Sequence, residues 1–278
     1  MWGAIIGDIV GSRFEFNRNN IKTKEFDFFG EGCRFTDDTI LTVATAVTLT
    51  TKTDSDQYGS NFKKCTPEEY ALSYKYYGNR YTDGGYGTFF RRWLTLPELT
   101  KNNSFGNGSA MRVSPIGFAF EFLDDVLEEA KKSCEYTHSH EEGIKGAQAV
   151  AAAIHIALKE GSVSKGIIRK YIESNFGYNL NRTLDEIRPN YRMDETCQGS
   201  VPEAIIAFLE SDDFESAIRG AISIGGDSDT IAAITGSIAE AFYGTPPSRM
   251  IKQASKYLDK DLLIDIHNFY LKRSPWIP

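Results

Sequence analysis

Two short acidic clusters each lie directly before an apolar run of helical composition. Thr36-Asp37-Asp38-Thr39 leads into TILTVATAVTLT at 39–50, and Gly225-Gly226-Asp227-Ser228-Asp229-Thr230 leads into DTIAAITGSIAEAFY at 229–243. Each supplies two carboxylates and a hydroxyl at a helix N-terminus. Capping accounts for either cluster alone, because Asp, Ser and Thr are preferred N-caps and first-turn carboxylates are favoured by the helix dipole. Two features go beyond capping. A cap requires one side chain, whereas each cluster offers several oxygens. Helices this apolar are also buried, which carries the carboxylates inward. Buried carboxylates repel one another and need neutralising. Magnesium or manganese does this through carboxylate, hydroxyl and water oxygens in octahedral arrangement. Gly225 and Gly226 allow the backbone a close approach or unusual dihedrals. Two such helix ends facing each other make a two-metal site that can activate water and hold substrate oxygens.

The elements that must position these clusters read as helices. Residues 39–50, 144–158 and 229–243 are rich in alanine and other small apolar residues and predict helices buried on several sides. Amphipathic stretches at 67–77, 123–134, 164–174, 202–210, 214–223 and 247–257 predict the rest of an all-α, compact helical bundle. Alternating β-branched runs are almost absent, and 24–35 is the best candidate for a short hairpin or loop. The polar stretch 51–66 reads as a surface loop. Residues 175–198 have no clear apolar period and read as a long functional loop over a site. No linker or low-complexity run divides the chain, so residues 1–278 are expected to form one domain.

Composition narrows the classes of function. A chain of 278 residues with 41% hydrophobic content can bury a sizeable core. With 31 basic against 38 acidic residues the net charge is −7, which argues against a nucleic-acid partner. Cys33, Cys65, Cys134 and Cys197 show no paired spacing and read as reduced thiols rather than disulfides or a zinc site. The apolar run at the N-terminus is too short for a membrane span and is interrupted by Asp8, and no basic residues precede it as in a signal peptide. A cytoplasmic monomer with no membrane partner is the expectation. No histidine has the paired spacing of a metal ligand; His155 reads as a core or edge residue and His140 as exposed.

The ordered motifs GDIVGSRFEF, FTDDT, GNGSAMRVSPIG, THSHEEGIKGA and IGGDSDTIAAITGSIAEAFYG span residues 7–244. Their combination resembles the ADP-ribosylglycohydrolase family, which includes dinitrogenase reductase-activating glycohydrolase and the ADP-ribosyl-acceptor hydrolases. The resemblance implies an all-α fold of that type with two magnesium or manganese ions. It also implies hydrolysis at ribose C1″ of ADP-ribose joined to an acceptor, either a protein side chain or acetate. Its TDD motif falls on Thr36, Asp37 and Asp38, and its D-x-D-T motif on Asp227, Asp229 and Thr230, which the resemblance makes the metal ligands. The G-D-x-x-G-S-x-x-E stretch carries Glu15, which the resemblance places beside the metals as the catalytic residue. Asp8 and Ser12 are expected to orient the loop rather than to do chemistry.

Ser104, Phe105, Gly106, Asn107, Gly108, Ser109, Ala110, Met111 and Arg112 resemble the family's phosphate and distal-ribose loop. Glycines there expose backbone N–H groups that can cradle a diphosphate, with Phe105 available to stack on adenine. Gly85, Tyr86, Gly87 and Thr88 resemble a second glycine-rich loop near the substrate ribose, and His138 matches a histidine that approaches the diphosphate. Arginine-specific bacterial members carry an aspartate near the position of Gly85. Here the aspartate is Asp83, two residues earlier, which favours Glu15 as the catalyst and serine-linked or O-acetyl-ADP-ribose over an arginine conjugate. A different class of function, a non-catalytic ADP-ribose-binding module, is the alternative; the complete acidic set speaks against it. A generic two-metal phosphoesterase is disfavoured by the missing histidine-rich ligand sets.

Overall fold

The first helix is built to be approached. Its residues Gly3, Gly7 and Gly11 recur every fourth position and so share one face. A Cβ placed on Gly7 would sit 2.1 Å from the Ala232 carbonyl oxygen, and one on Gly11 would sit 2.5 Å from the Asp229 Cα. Only glycine lets these two helix backbones touch, and that contact carries Asp8 to the second acidic cluster.

The computed structural model describes residues 1–16, 19–51 and 62–273. Those residues form fourteen α-helices and no strand. Helix α1 (Trp2–Gly11) is followed by a 3-10 turn at Ser12–Phe14 and an irregular segment reaching α2 (Asp37–Thr50). Helix α3 (Pro67–Arg80) opens with a capping box between Thr66 and Glu69 and with Pro67 in its first turn. Then come α4 (Thr88–Thr95), a 3-10 turn at Asn107–Ser109, α5 (Ser114–Ala119), α6 (Leu123–Cys134) and α7 (Glu141–Glu160). After a turn at Gly161–Val163 follow α8 (Ser164–Phe176), α9 (Leu184–Ile187), α10 (Cys197–Leu209) and α11 (Phe214–Ile222). Helices α12 (Ser228–Tyr243), α13 (Ser248–Ala254) and α14 (Lys260–Lys272) complete the order.

Helix α12 is the axis of the molecule, packed against α1, α7, α10 and α11. Every residue from Ser228 to Ala241 is buried, as its apolar composition on all sides requires. Helix α2 lies between α1, α3, α5 and α14. The two acidic helix ends therefore belong to elements held by several neighbours each, which suits a site that must be rigid.

Several expectations are corrected here. The N-terminal apolar run, for which no element was expected, is helix α1, and Asp8 sits within it. Of the two alternatives for residues 24–35, the loop holds: they form turns and irregular backbone rather than a hairpin. The stretch 175–198 contains the short helix α9 before its last residues reach the site. The helix expected from 202 begins at Cys197, capped by the Thr196 side chain, because Thr196 accepts from the Gly199 N–H. Helices α4, α5 and α14 were not expected. Of the loop expected at 51–66, residues 52–61 lie outside the described ones. No described helix is long and apolar enough to cross a membrane.

Candidate active site

The close pairing of α1 with α12 sets the first part of the site. Asp8 on α1 accepts hydrogen bonds from four donors, all at the start of α2. The Thr36 N–H (2.9 Å) and hydroxyl (2.7 Å) supply two; the Thr39 N–H (3.1 Å) and hydroxyl supply the others. Asp8 thus ties the first turn of α2 to α1 and through it to α12. Thr36 is the N-cap of α2, its oxygen accepting from the Asp38 N–H. Asp227 occupies the N-cap position of α12 but makes no capping bond. Capping therefore explains Thr36 and leaves Asp37, Asp38, Asp227 and Asp229 unexplained.

Those four converge. Oxygens of Asp8, Asp38 and Asp229 lie within 4.8 Å of one another. Thr230 donates its hydroxyl to Asp38 Oδ2 across the gap between the two helix ends, at 3.1 Å. Asn107 donates to Asp227 Oδ2 at 2.7 Å. Asp38 and Asp229 are only 2% and 3% exposed, and Asp38 Oδ1 is buried with no hydrogen-bond partner at all. Among the described residues no Lys or Arg forms an ion pair with any of these carboxylates.

The electrostatic consequence is a cluster that cannot stay fully ionised by itself. Burial, reinforced by Asp8, pushes Asp37 up to about 7, and burial pushes Asp227 up to about 7 although Asp229 and Asn107 hydrogen-bond to it. Burial drives both Asp38 and Asp229 well above the ordinary carboxylate range, reinforced by the Asp229 charge at Asp38 and by the Asp227 charge at Asp229. An orphaned buried oxygen within a repelling set of hard donors is the chemistry a divalent cation satisfies. Asp8 is a poorer ligand than its proximity suggests, since its lone pairs are already taken by the four donors at α2.

The cluster forms the floor of a cavity of about 380 Å³, a volume suited to a small-molecule ligand. Its wall is the glycine loop, held from both sides. Asn103 bridges to His138, and Gly106 bridges to Thr196 in antiparallel fashion. The Asn107 N–H donates to the Glu195 carbonyl and the Cys197 N–H to the Phe105 carbonyl, at 2.8 and 3.0 Å. The end of the 175–198 segment thus packs over the site, bringing Met193, Glu195 and Thr196 to the cavity.

Glu15, Asp37, Asp38, Asp227, Asp229 and Thr230 line the cavity. So do Gly85, Gly87, Thr88, Ser104, Phe105, Gly106, Asn107, Gly108, Met111 and His138. Three expected residues do not. Thr36 lies beneath the wall with its hydroxyl on Asp8. Tyr86 is buried against Phe90, with ring centroids 5.3 Å apart. Ser109 is fully buried and donates to the Gly143 carbonyl at 2.7 Å. The second glycine loop is tied to the cluster by the Asp37 N–H, which donates to the Gly84 carbonyl at 2.7 Å. His140 is half-buried rather than exposed, capping α7 and meeting the Phe105 ring edge-on. Gly225 and Gly226 have φ of +69° and +79°, so the turn before α12 needs the left-handed backbone that glycine adopts freely.

A family model for ADP-ribosylglycohydrolase matches residues 1–272. The chain belongs to the ADP-ribosylglycohydrolase family. A human relative, ADP-ribosylhydrolase ARH3, is 26% identical over an alignment covering 97% of this chain and 92% of the relative. The chicken ARH3 is 28% identical, covering 88% and 85%. ADP-ribosylarginine hydrolase Tri1 of Pseudomonas putida is 26% identical, covering 93% and 74%. A solved ADP-ribosylglycohydrolase-related protein complex matches in fold with a TM-score of 0.64 at 22% identity, covering 98% of this chain and 96% of that one.

Some cavity residues, Glu195 among them, carried no signal of their own in the sequence. Arg112 is fully buried beside the glycine loop, an unusual place for a guanidinium. Glu195 raises both Glu15 and Asp227 by its charge. Phe89 and Asn102 complete the rim. Arg112 follows Met111 within a quoted motif, so burial of that stretch was the one available signal. Glu195 stood in a segment without periodicity and left none. Asp83 is exposed and outside the cavity.

Proposed function

We propose that this chain, acting as one unit over residues 1–278, hydrolyses the bond at ribose C1″ of ADP-ribose attached to an acceptor. The observation that carries this reading is the bare, buried Asp38 Oδ1 among facing carboxylates, on the floor of a cavity walled by a glycine loop. Two magnesium or manganese ions would be held by Thr36, Asp37, Asp38, Asp227, Asp229 and Thr230. Thr36 gives its hydroxyl hydrogen to Asp8 and accepts from the Asp38 N–H, which leaves one oriented lone pair for a cation. Ions bound there would supply Lewis-acid polarisation of ribose hydroxyls.

The chain's own residues do the rest. Burial, and in the cation-free chain the Asp229 charge, push Glu15 up to about 8, which favours its protonated form. In that form it donates to the departing acceptor oxygen, and its carboxylate then accepts a proton from water. The transition state at an anomeric carbon is oxocarbenium-like, so the surrounding carboxylates favour its positive charge. The 104–108 loop, whose Gly106 and Asn107 N–H groups are already bonded within the wall, and the His138 ring face the diphosphate, while Phe105 offers its ring to adenine. Asn107 orients Asp227. Gly85, Gly87 and Thr88 border the ribose; Tyr86, Ser109 and Met111 pack the two loops that carry those contacts. Asp83 stands outside the cavity, which favours serine-linked or O-acetyl-ADP-ribose over an arginine conjugate.

The test is a panel of serine-, acetyl- and arginine-linked ADP-ribose with each metal and with chelator. ADP-ribose release from at least one conjugate, lost with chelator and in Asp37→Ala, is expected. Tight ADP-ribose binding with no release from any conjugate would establish the binding-module alternative instead.

A further inference from the structure

We propose that Arg112 and Thr137 are positioning residues that lock the His138 ring with its proton on Nε2, so that it presents an N–H donor to a phosphoryl oxygen in the cavity. The ligand half of this inference rests on the function proposed above; the proton placement does not.

Arg112 is fully buried and, among the described residues, pairs with no carboxylate. Its guanidinium lies 4.0 Å from the centre of the Tyr74 ring, a cation–π contact. Its Nη2 donates to the Thr137 hydroxyl at 2.5 Å and toward the Ser133 carbonyl at 3.4 Å. A guanidinium only donates, so the Thr137 oxygen must accept there. The hydroxyl then has one hydrogen to place. Its other side-chain neighbour is His138 Nδ1, at 2.9 Å. Were Nδ1 protonated, that hydroxyl hydrogen would be buried without an acceptor, which folded proteins avoid at a cost of about 1–3 kcal/mol. Thr137 therefore donates to Nδ1. Burial and the Arg112 charge hold His138 well below its ordinary range, so the ring is neutral and its one proton is on Nε2.

The geometry aims that proton at the ligand. Nε2 lies beside the glycine loop, 3.1 Å from where a Cβ of residue 108 would sit and 3.7 Å from that of residue 106. A neutral ring avoids the cost of burying a second cation, and the chain of polarised bonds from Arg112 strengthens the Nε2–H as a donor. The cavity thus has two poles: carboxylates on the floor, and the Arg112-backed imidazole with the loop amides on the wall. A ligand carrying both hydroxyls and a phosphoryl anion matches that order.

The experiment reads the imidazole nitrogens of His138 by NMR on the whole chain with labelled histidine, assigned by loss of the signal in His138→Gln. The chain has four histidines, which keeps the spectrum tractable. The wild type is expected to show a protonated Nε2 and a bare Nδ1. Thr137→Val should lose that signature and weaken ADP-ribose roughly tenfold by calorimetry, the effect of one good hydrogen bond. In turnover it should raise KM while leaving kcat within about twofold. Thr137→Ser should restore the signature and the affinity, which a loss of folding would not permit. A wild-type ring protonated on Nδ1, or a Thr137→Val ring that keeps Nε2–H and full affinity, overturns the relay. A ring with Nε2–H in a chain that does not bind ADP-ribose overturns the phosphoryl assignment and the proposed function together.

Discussion

Glu15 and Asp8 divide the work at the scale of single residues. Both are acidic and both come from the first fifteen positions, yet their surroundings differ. Asp8 is saturated by four donors from the start of α2, whereas Glu15 has an exposed edge on the cavity and a carboxyl pushed up to about 8. Glu15→Gln should therefore lower kcat by roughly 10²- to 10⁴-fold, the usual range for a lost general acid or base, while metal binding measured by calorimetry stays close to wild type. Asp8→Asn should do the reverse of this pattern. An amide offers two donors where four donors already point inward, so the start of α2 must shift, and metal affinity should fall by about 10- to 100-fold. Equal loss of metal binding in both variants would contradict this division.

At the scale of elements, the pairing of α1 with α12 decides whether the site exists. Gly7→Ala normally gains about 0.5–1 kcal/mol inside a helix. Here the added carbon would sit 2.1 Å from the Ala232 carbonyl oxygen, a backbone atom that cannot step aside. Overpacking costs about 1–3 kcal/mol, so the net change should be destabilising and visible as a lowered melting temperature. A Gly7→Ala protein as stable as wild type would mean the helices can separate without loss. Much at this scale was legible in the sequence. The small-residue runs forming α2, α7 and α12 read as buried helices because apolar residues surround their axes. Helix α1 was not read as a helix, because ten residues with three glycines have poor propensity; only its contact with α12 explains it. Helix α14 carries four charges on thirteen residues and a broken apolar stripe, so its burial of Leu262, Ile266 and Phe269 shows only against α2. The site was legible where motifs carried it, at Glu15, Asp37, Asp38, Asp227 and Asp229. It was not legible at Glu195, which reaches the cavity by chain contacts that no local spacing records.

At the scale of the whole molecule, burying this much acid makes stability depend on pH and on cations. Asp37 and Asp227 rise from an ordinary 3.8 to about 7 in the folded chain. A raised carboxylate keeps its proton longer in the folded state, so the cluster's contribution is fully present below about 3.8 and is lost as pH rises toward 7. Cations that occupy the cluster replace those protons and reverse the loss. Magnesium or manganese should accordingly raise the melting temperature more at pH 7.5 than at pH 5, and the difference should vanish in Asp38→Asn. A metal effect that is equal at both pH values would count against the cluster as the binding site.

The central claim is that this acidic floor, loaded with divalent cations, releases ADP-ribose from its acceptor. The most direct measurement titrates manganese into chelator-stripped protein while following ADP-ribose release from a serine- or acetyl-linked conjugate. Release should be absent in the stripped protein, rise with added metal and reach a plateau at two ions per chain, with Asp229→Asn flat throughout. Release that proceeds unchanged without metal, or two ions bound with no release from any conjugate, would contradict it.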